Sequence, residues 1–261
     1  MDIRRGAEKI MTDFIELAGG GRIAYEKFSG KGPGVVFLGG FHSDMTGTKA
    51  TALAAHFHRA GRSFLRFDYT GHGASSGDFE EGTIGGWAAD AVAVLDELAE
   101  GPQVLAGSSM GGWIMCLAAL ARPGRVCGLI GVGAAPDFTE DLIWATLPEA
   151  ARRIISEKGS WTRPSEYDEA GYPITMKLIE EGRRHLLLRA PIAIRCPVRL
   201  IHGALDTSVP WEVSRKLMDA IESEDATLTV VKGGDHRLSE PADIERLIGT
   251  IEMLCVKTKE D

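Results

Sequence analysis

Ser109 stands in Gly107-Ser108-Ser109-Met110-Gly111, a Gly-x-Ser-x-Gly pentapeptide whose serine hydroxyl could attack a carbonyl carbon. The same pattern recurs at Gly73-Ala74-Ser75-Ser76-Gly77. With 32 glycines in 261 residues, chance alone supplies roughly 0.2 such matches, so the flanking sequence has to choose. A nucleophile elbow needs a buried strand leading in and a helix leading out, so that the serine sits on a strained turn above the sheet. Gln103-Val104-Leu105-Ala106 supplies the strand, and the apolar run Gly112 to Ala121, ended by Arg122-Pro123-Gly124, supplies the helix. Ser75 follows Asp68-Tyr69-Thr70-Gly71-His72 and precedes Gly77-Asp78, which reads as a flexible loop.

A serine is a poor nucleophile at neutral pH unless a base takes its proton. His236, in Lys232-Gly233-Gly234-Asp235-His236, lies on a glycine-bearing loop after the last apolar run and is the candidate base. Asp206, in the turn Ile201-His202-Gly203-Ala204-Leu205-Asp206, is the candidate acid that fixes the imidazole tautomer; Asp137 and Asp235 are its rivals. His202, at the end of a strand, reads as a buried hydrogen-bonding residue. The tetrahedral intermediate needs donors for its oxyanion, each worth about 3 kcal/mol. The backbone N–H groups of Met110 and of Phe41, in Leu38-Gly39-Gly40-Phe41, are the candidates. His42 beside that loop, and the apolar Trp144, Leu147, Trp161 and Tyr172, are candidate substrate contacts, although each apolar one is more commonly plain packing. In the stretch from Arg66 to His72, Asp68 reads as a carboxylate bonded to its own turn.

These residues must be carried by elements in a particular order. A hairpin over Phe14 to Phe28 comes first, turning at Gly19-Gly20-Gly21. Apolar runs at Val35–Leu38, Ser63–Phe67, Gln103–Ala106, Val126–Val132, Val198–Ile201 and Thr227–Val231 then read as strands. Helical stretches at Thr48–Arg59, Ile84–Ala99, Gly112–Ala121, Trp211–Ile221 and Ala242–Val256 separate them. That alternation predicts an α/β fold with a mainly parallel sheet and helices on both faces. Residues 137–196 offer helical pieces and no convincing strand, so they read as a helical cap inserted into a core of residues 1–136 and 197–261. Such an insertion sits over the carboxyl ends of the strands, where open α/β sheets bind ligands.

The whole-chain numbers narrow the partners. A net charge of −8 argues against nucleic acid and anionic membrane surfaces, which need clustered cations. No stretch reaches the roughly eighteen apolar residues of a membrane helix. The charged start Met1 to Met11 does not read as a secretory signal, so the expected location is the cytoplasm. The four cysteines, Cys116, Cys127, Cys196 and Cys255, form no Cys-x-x-Cys pair and suggest neither metal nor disulfides.

The chain resembles the α/β-hydrolases and, more closely, the subfamily of mitochondrial palmitoyl-protein thioesterases also described as mycophenolic acid acyl-glucuronide esterases. The resemblance rests on Met45-Thr46-Gly47-Thr48-Lys49-Ala50, Arg66-Phe67-Asp68-Tyr69, Gly101-Pro102-Gln103 and Gly107 to Trp113, and on His202-Gly203 with Asp206, Val209-Pro210-Trp211 and Asp235-His236-Arg237. It runs over most of the chain and implies Ser109, Asp206 and His236 as a triad. Two departures stand out: no mitochondrial presequence is read at the start, and Gly39 stands where many such hydrolases carry His. The expected activity is cleavage of a small-molecule carboxylic ester or acyl thioester through an acyl-enzyme, without metal or organic cofactor. The alternatives are a triad hydrolase acting on amide or carbon–carbon bonds, and a non-catalytic ligand-binding protein on a hydrolase scaffold.

Overall fold

The computed structural model describes residues 11–164 and 171–257. Residues 1–10, read above for a leader, and residues 165–170 within the proposed insertion lie outside the described residues. The strands are β1 (Asp13–Glu16), β2 (Arg22–Phe28), β3 (Lys31–Leu38), β4 (Arg62–Phe67), β5 (Gln103–Ser108), β6 (Val126–Val132), β7 (Ser160–Arg163), β8 (Tyr172–Thr175), β9 (Val198–Gly203) and β10 (Ala226–Val231). The main sheet runs β1-β2-β4-β3-β5-β6-β9-β10. β1 and β2 pair antiparallel, as do β2 and β4; every later pair in this sheet is parallel.

Parallel strands joined by helices have both faces covered, so they can be apolar at every position. The sequence obeys this with a period of two. Val36, Leu38, Leu105 and Leu129 face one apolar cluster, whereas Val35, Phe37, Val104, Ala106 and Ile130 face the other. Helices α1 (Thr48–Arg59), α2 (Ile84–Glu97) and α3 (Met110–Ala121) are divided between the two faces. Trp87 of α2 and Trp113 of α3 lie in the first cluster, and Leu53 and Phe57 of α1 in the second. Thr83 starts α2 by accepting the Gly86 N–H (3.1 Å), which satisfies a donor that lacks an intrahelical partner. The register sets Leu38 beside Gly107 and Ser108 beside Val132, so the loops leaving β3, β5 and β6 emerge side by side.

The connection from β6 to β9 contains α4 (Glu149–Lys158) and α5 (Met176–Gly182), preceded by a π-helical turn at Thr139–Ile143. It is not wholly helical, as the sequence had suggested. β7 and β8 form a separate antiparallel pair, with Trp161 opposite Ile174. Four-residue strands are too short for a period-two pattern to show, and Pro173 inside β8 interrupts the usual strand signature. α5 begins at Met176, where Thr175 caps it by accepting the Leu178 N–H (3.1 Å). The two remaining helices, α6 (Glu212–Ala220) and α7 (Pro241–Lys257), follow β9 and β10.

Asp137 ties the two ends of this connection together. Its side chain is fully buried and accepts the N–H groups of Leu187 (2.7 Å) and Leu188 (2.8 Å), with Arg189 at 3.4 Å. Burial raises its carboxyl pKa above the ordinary value, while the two N–H donors pull it back. Asp137→Ala leaves both N–H groups without an acceptor, at ~1–3 kcal/mol each, so a loss of about 3 kcal/mol is expected in denaturant unfolding. Asp137→Asn, which keeps one acceptor oxygen, should lose roughly half as much.

Candidate active site

The turn between β5 and α3 holds Ser109 at φ 55° and ψ −116°, a region that a residue with a Cβ enters only under constraint. Three main-chain hydrogen bonds supply the constraint. Ser109 N–H donates to Val132 O (2.9 Å), and Ser109 O accepts from Gly112 N (2.9 Å) and Ala135 N (3.0 Å). The flanking glycines let the backbones close: a Cβ on Gly107 would overlap the carbonyl of Gly111, and one on Gly111 would overlap those of Leu38 and Gly39. Ser75 has no comparable setting. Its hydroxyl donates to Asp68 O (2.6 Å) and accepts the Ala24 N–H (2.8 Å), so it ties a loop to β2.

Ser109, His236 and Asp206 form one hydrogen-bonded line. His236 Nδ1 donates to Asp206 Oδ2 at 2.7 Å, and because a carboxylate only accepts, this fixes the tautomer and leaves Nε2 to accept from Ser109 Oγ at 3.0 Å. The loops carrying His236 and Asp206 are fastened together: Ala204 N–H donates to Val231 O (2.8 Å) and Leu205 N–H to Gly234 O (2.9 Å). The rival acids are engaged elsewhere, Asp137 on Leu187 and Leu188 and Asp235 on the Leu238 N–H (2.9 Å). The Asp206 side chain is fully buried. Burial alone would raise its pKa, but donation from His202 and His236, the attraction of His236 and the Val209 N–H hold the carboxyl well below the usual range.

Phe41 and Met110 lie on either side of the serine, in the loop after β3 and at the first residue of α3. Among the described residues neither N–H donates a hydrogen bond, and that of Met110 has no intrahelical acceptor because it opens the helix. The Phe41 side chain packs edge-on among Phe79, Trp87, Phe138 and Tyr172 with ring centroids 5.0 to 6.0 Å apart. Asp68 holds the same loop from below. Besides its own turn at Ala74 N (2.8 Å), it accepts the Met45 N–H (2.6 Å), a long-range contact that no local pattern reveals. Lys49 was also missed, although it stands in one of the strings quoted above. Its ammonium donates to Arg237 O (2.5 Å), bracing the His236 loop, and burial lowers its pKa to about 8.

A cavity of about 580 Å³ opens over Ser109 and His236, within the range of small-molecule sites. Phe41, Met110, Phe138, Leu142, Ile143 and Ile174 are among its walls. Of the candidate substrate contacts, Tyr172 lines it, whereas His42, Trp144, Leu147 and Trp161 do not. Trp144 is covered by the guanidinium groups of Arg152 and Arg183, Leu147 is buried in the core, and Trp161 packs against that core. His42 packs against Phe79 and Tyr172 (4.7 and 5.1 Å). Trp161 is the cross-strand partner of Ile174 and so lies on the same face of the β7–β8 pair as Tyr172, yet only Tyr172 and Ile174 line the cavity, so neither aromatic type nor strand period could sort these positions. Among the described residues no group of three or more His, Cys, Asp or Glu could hold a metal ion.

The family described as "Serine aminopeptidase, S33" matches residues 33–177. The mitochondrial palmitoyl-protein thioesterase ABHD10 of Mus musculus is 43% identical over 251 residues, spanning 96% of this chain and 84% of the relative. Its human counterpart is 42% identical over 96% of this chain and 82% of its own. The solved structure of mouse alpha/beta hydrolase domain-containing protein 10 superposes with a TM-score of 0.88, covering 95% of this chain and 99% of that one. A putative hydrolase from Agrobacterium vitis S4, 37% identical, superposes with a TM-score of 0.90 over 94% and 99% of the two chains.

The depressed pKa of Asp206 has a signed consequence. Its ionisation stabilises the fold fully above the ordinary carboxylate value, about 4, and that contribution is lost as the pH falls through the lower folded-state value. The melting-temperature gap between the native protein and Asp206→Asn should therefore be widest above pH ~4 and narrow steadily below it. At neutral pH the same variant should lose about 10⁴-fold in kcat in an esterase assay, because the amide can donate to Nδ1 and favour the wrong tautomer.

Proposed function

The chain belongs to the α/β-hydrolase family, within the serine aminopeptidase S33 group, and is a hydrolase of the esterase and thioesterase kind; we propose that it works by acyl transfer through Ser109. The observation that carries this reading is the unbroken line from a strained serine through His236 to a buried carboxylate, at 3.0 and 2.7 Å. Ser109 Oγ attacks the acyl carbon while His236 Nε2 takes its proton, and the carbonyl π electrons move onto oxygen, held by the Met110 and Phe41 N–H groups. Collapse expels the alcohol or thiol, which leaves with the proton from Nε2, and Ser109 keeps the acyl group. Water, deprotonated by the same nitrogen, then attacks the acyl-serine; the acid leaves and the hydroxyl regains its proton.

Residues 137–196 act in this proposal as a cap whose Phe138, Leu142, Ile143 and Ile174 receive the apolar acyl chain. A long-chain acyl thioester is the substrate class that joins this apolar wall to the relatives, which are named as palmitoyl-protein thioesterases. Among the described residues no helix is long and apolar enough to cross a membrane. A cytoplasmic setting is part of the proposal, while the relatives are named as mitochondrial.

Hydrolysis of p-nitrophenyl esters and acyl thioesters from acetyl to palmitoyl tests both parts. Ser109→Ala should lose on the order of 10⁴–10⁶-fold in kcat and fail to react with a fluorophosphonate probe; retained activity or labelling would falsify the mechanism. Each added methylene that enters the apolar wall is worth about 0.8 kcal/mol, so kcat/KM should rise roughly fourfold per carbon until the cavity is filled. A flat profile would count against the acyl assignment of that wall.

A further inference from the structure

We infer that His202, backed by Ser214, is a positioning residue that aims the Asp206 carboxylate at His236. The inference rests on the triad reading above and concerns a residue that makes no hydrogen bond to the serine and does not itself line the cavity. His202 lies next to the last residue of β9 with its side chain wholly buried, four residues before Asp206. Its Nε2 faces two acceptors, Asp206 Oδ2 at 3.0 Å and Val209 O at 2.9 Å, so a proton must lie on that nitrogen. On the far side of the ring, Nδ1 meets Ser214 Oγ of α6 at 2.7 Å. Both nitrogens are thereby satisfied inside the core, and the ring can neither flip nor exchange its roles without breaking a buried hydrogen bond.

The consequence falls on Asp206. Its Oδ1 accepts the Ser208 and Val209 N–H groups at 2.9 and 2.8 Å, and these donors come from its own turn. Its Oδ2, the atom that meets His236, has His202 as its other donor. Two local N–H groups on one oxygen leave the carboxylate able to twist about its Cβ–Cγ bond; the second imidazole, held from β9 and α6, fixes that twist. A buried ring carrying two polar atoms is an expensive way to fill this space, which argues that it contributes more than packing.

Other charged groups lie near the base. Asp235 and Arg237 share the loop of His236, and Lys49 of α1 donates to the Arg237 carbonyl, with Asp243 of α7 also acting on Lys49. Asp44 lies on the cavity wall and holds Thr46 through N–H and hydroxyl. Among the described residues, the side-chain hydrogen bonds of His202 run only to Asp206, Val209 and Ser214.

The test compares His202→Met, His202→Gln and Ser214→Ala with the native enzyme and Ser109→Ala, using pH profiles of kcat and kcat/KM on one p-nitrophenyl ester, with melting curves to check folding. Methionine fills the space without a donor, whereas the glutamine amide can place an N–H near the original Nε2. For His202→Met the expected result is a fall in kcat of about tenfold or more, KM within twofold, and the acidic limb of kcat/KM lower by about half a unit, since a twisted carboxylate stabilises the imidazolium less. His202→Gln should recover most of both losses. A His202→Met enzyme within twofold of native kcat, a fall in kcat with an unmoved or rising acidic limb, or a glutamine variant no better than methionine would each overturn the inference. If His202→Met does not fold, Ser214→Ala decides: about threefold lower kcat with a lowered limb supports the inference, and native kcat with an unmoved limb overturns it. Full activity in Ser109→Ala would instead sink the triad reading, while an inactive Ser109→Ala beside unaffected His202 variants sinks this inference alone.

Discussion

Ser109 can hold φ 55° because the backbones of β3, β5 and α3 meet around it with no side chain between them. Gly107 touches the Gly111 carbonyl, and Gly111 lies against the carbonyls of Leu38 and Gly39. That close packing fixes three things at once. It presents the serine hydroxyl above the sheet, it leaves the Met110 N–H at the open end of a helix, and it sets the loop after β3 beside that helix end. Strain of this kind persists only where the surroundings over-determine it. Here Val132 and Ala135, which follow from the next strand, close the remaining hydrogen bonds.

The electrostatic half of the site is built on the opposite logic. Asp206 is a buried carboxylate, and burial disfavours its charge; four donors, His202, His236, Ser208 and Val209, reverse that penalty. An acid so fully engaged stays ionised beside the imidazole and orients it. The donors come from its own turn, from the end of β9 and from the loop after β10, so the buried charge is held by contacts that form only once β9 and β10 have paired.

The connection between β6 and β9 joins these halves to the cavity. Asp137 anchors its end at Leu187 and Leu188, and Tyr172 of β8 reaches Phe41 on the loop after β3. The aromatic group around Phe41 therefore couples the position of a backbone N–H to the connection that walls the cavity. The shape of the cavity wall and the position of the Phe41 loop are consequently not independent.

Much of this was legible in the sequence because it is local. Strand period, helix length and the glycine pair around Ser109 depend on neighbours within a few residues, and they gave an α/β chain with a mainly parallel sheet, helices on both faces, and a strand–serine–helix turn. What the tertiary structure decided depends on residues far apart in the chain. That Asp206 rather than Asp137 or Asp235 meets His236 follows from loops converging over some thirty residues of separation. Asp68 bracing the Phe41 loop and Lys49 bracing the His236 loop are contacts of the same kind. The short pair β7 and β8, and the sorting of Tyr172 to the cavity while Trp144, Leu147 and Trp161 turn elsewhere, were hidden for a related reason: four-residue strands carry too little period to read, and residue type states what a side chain prefers to touch, whereas only the folded backbone states what lies within its reach.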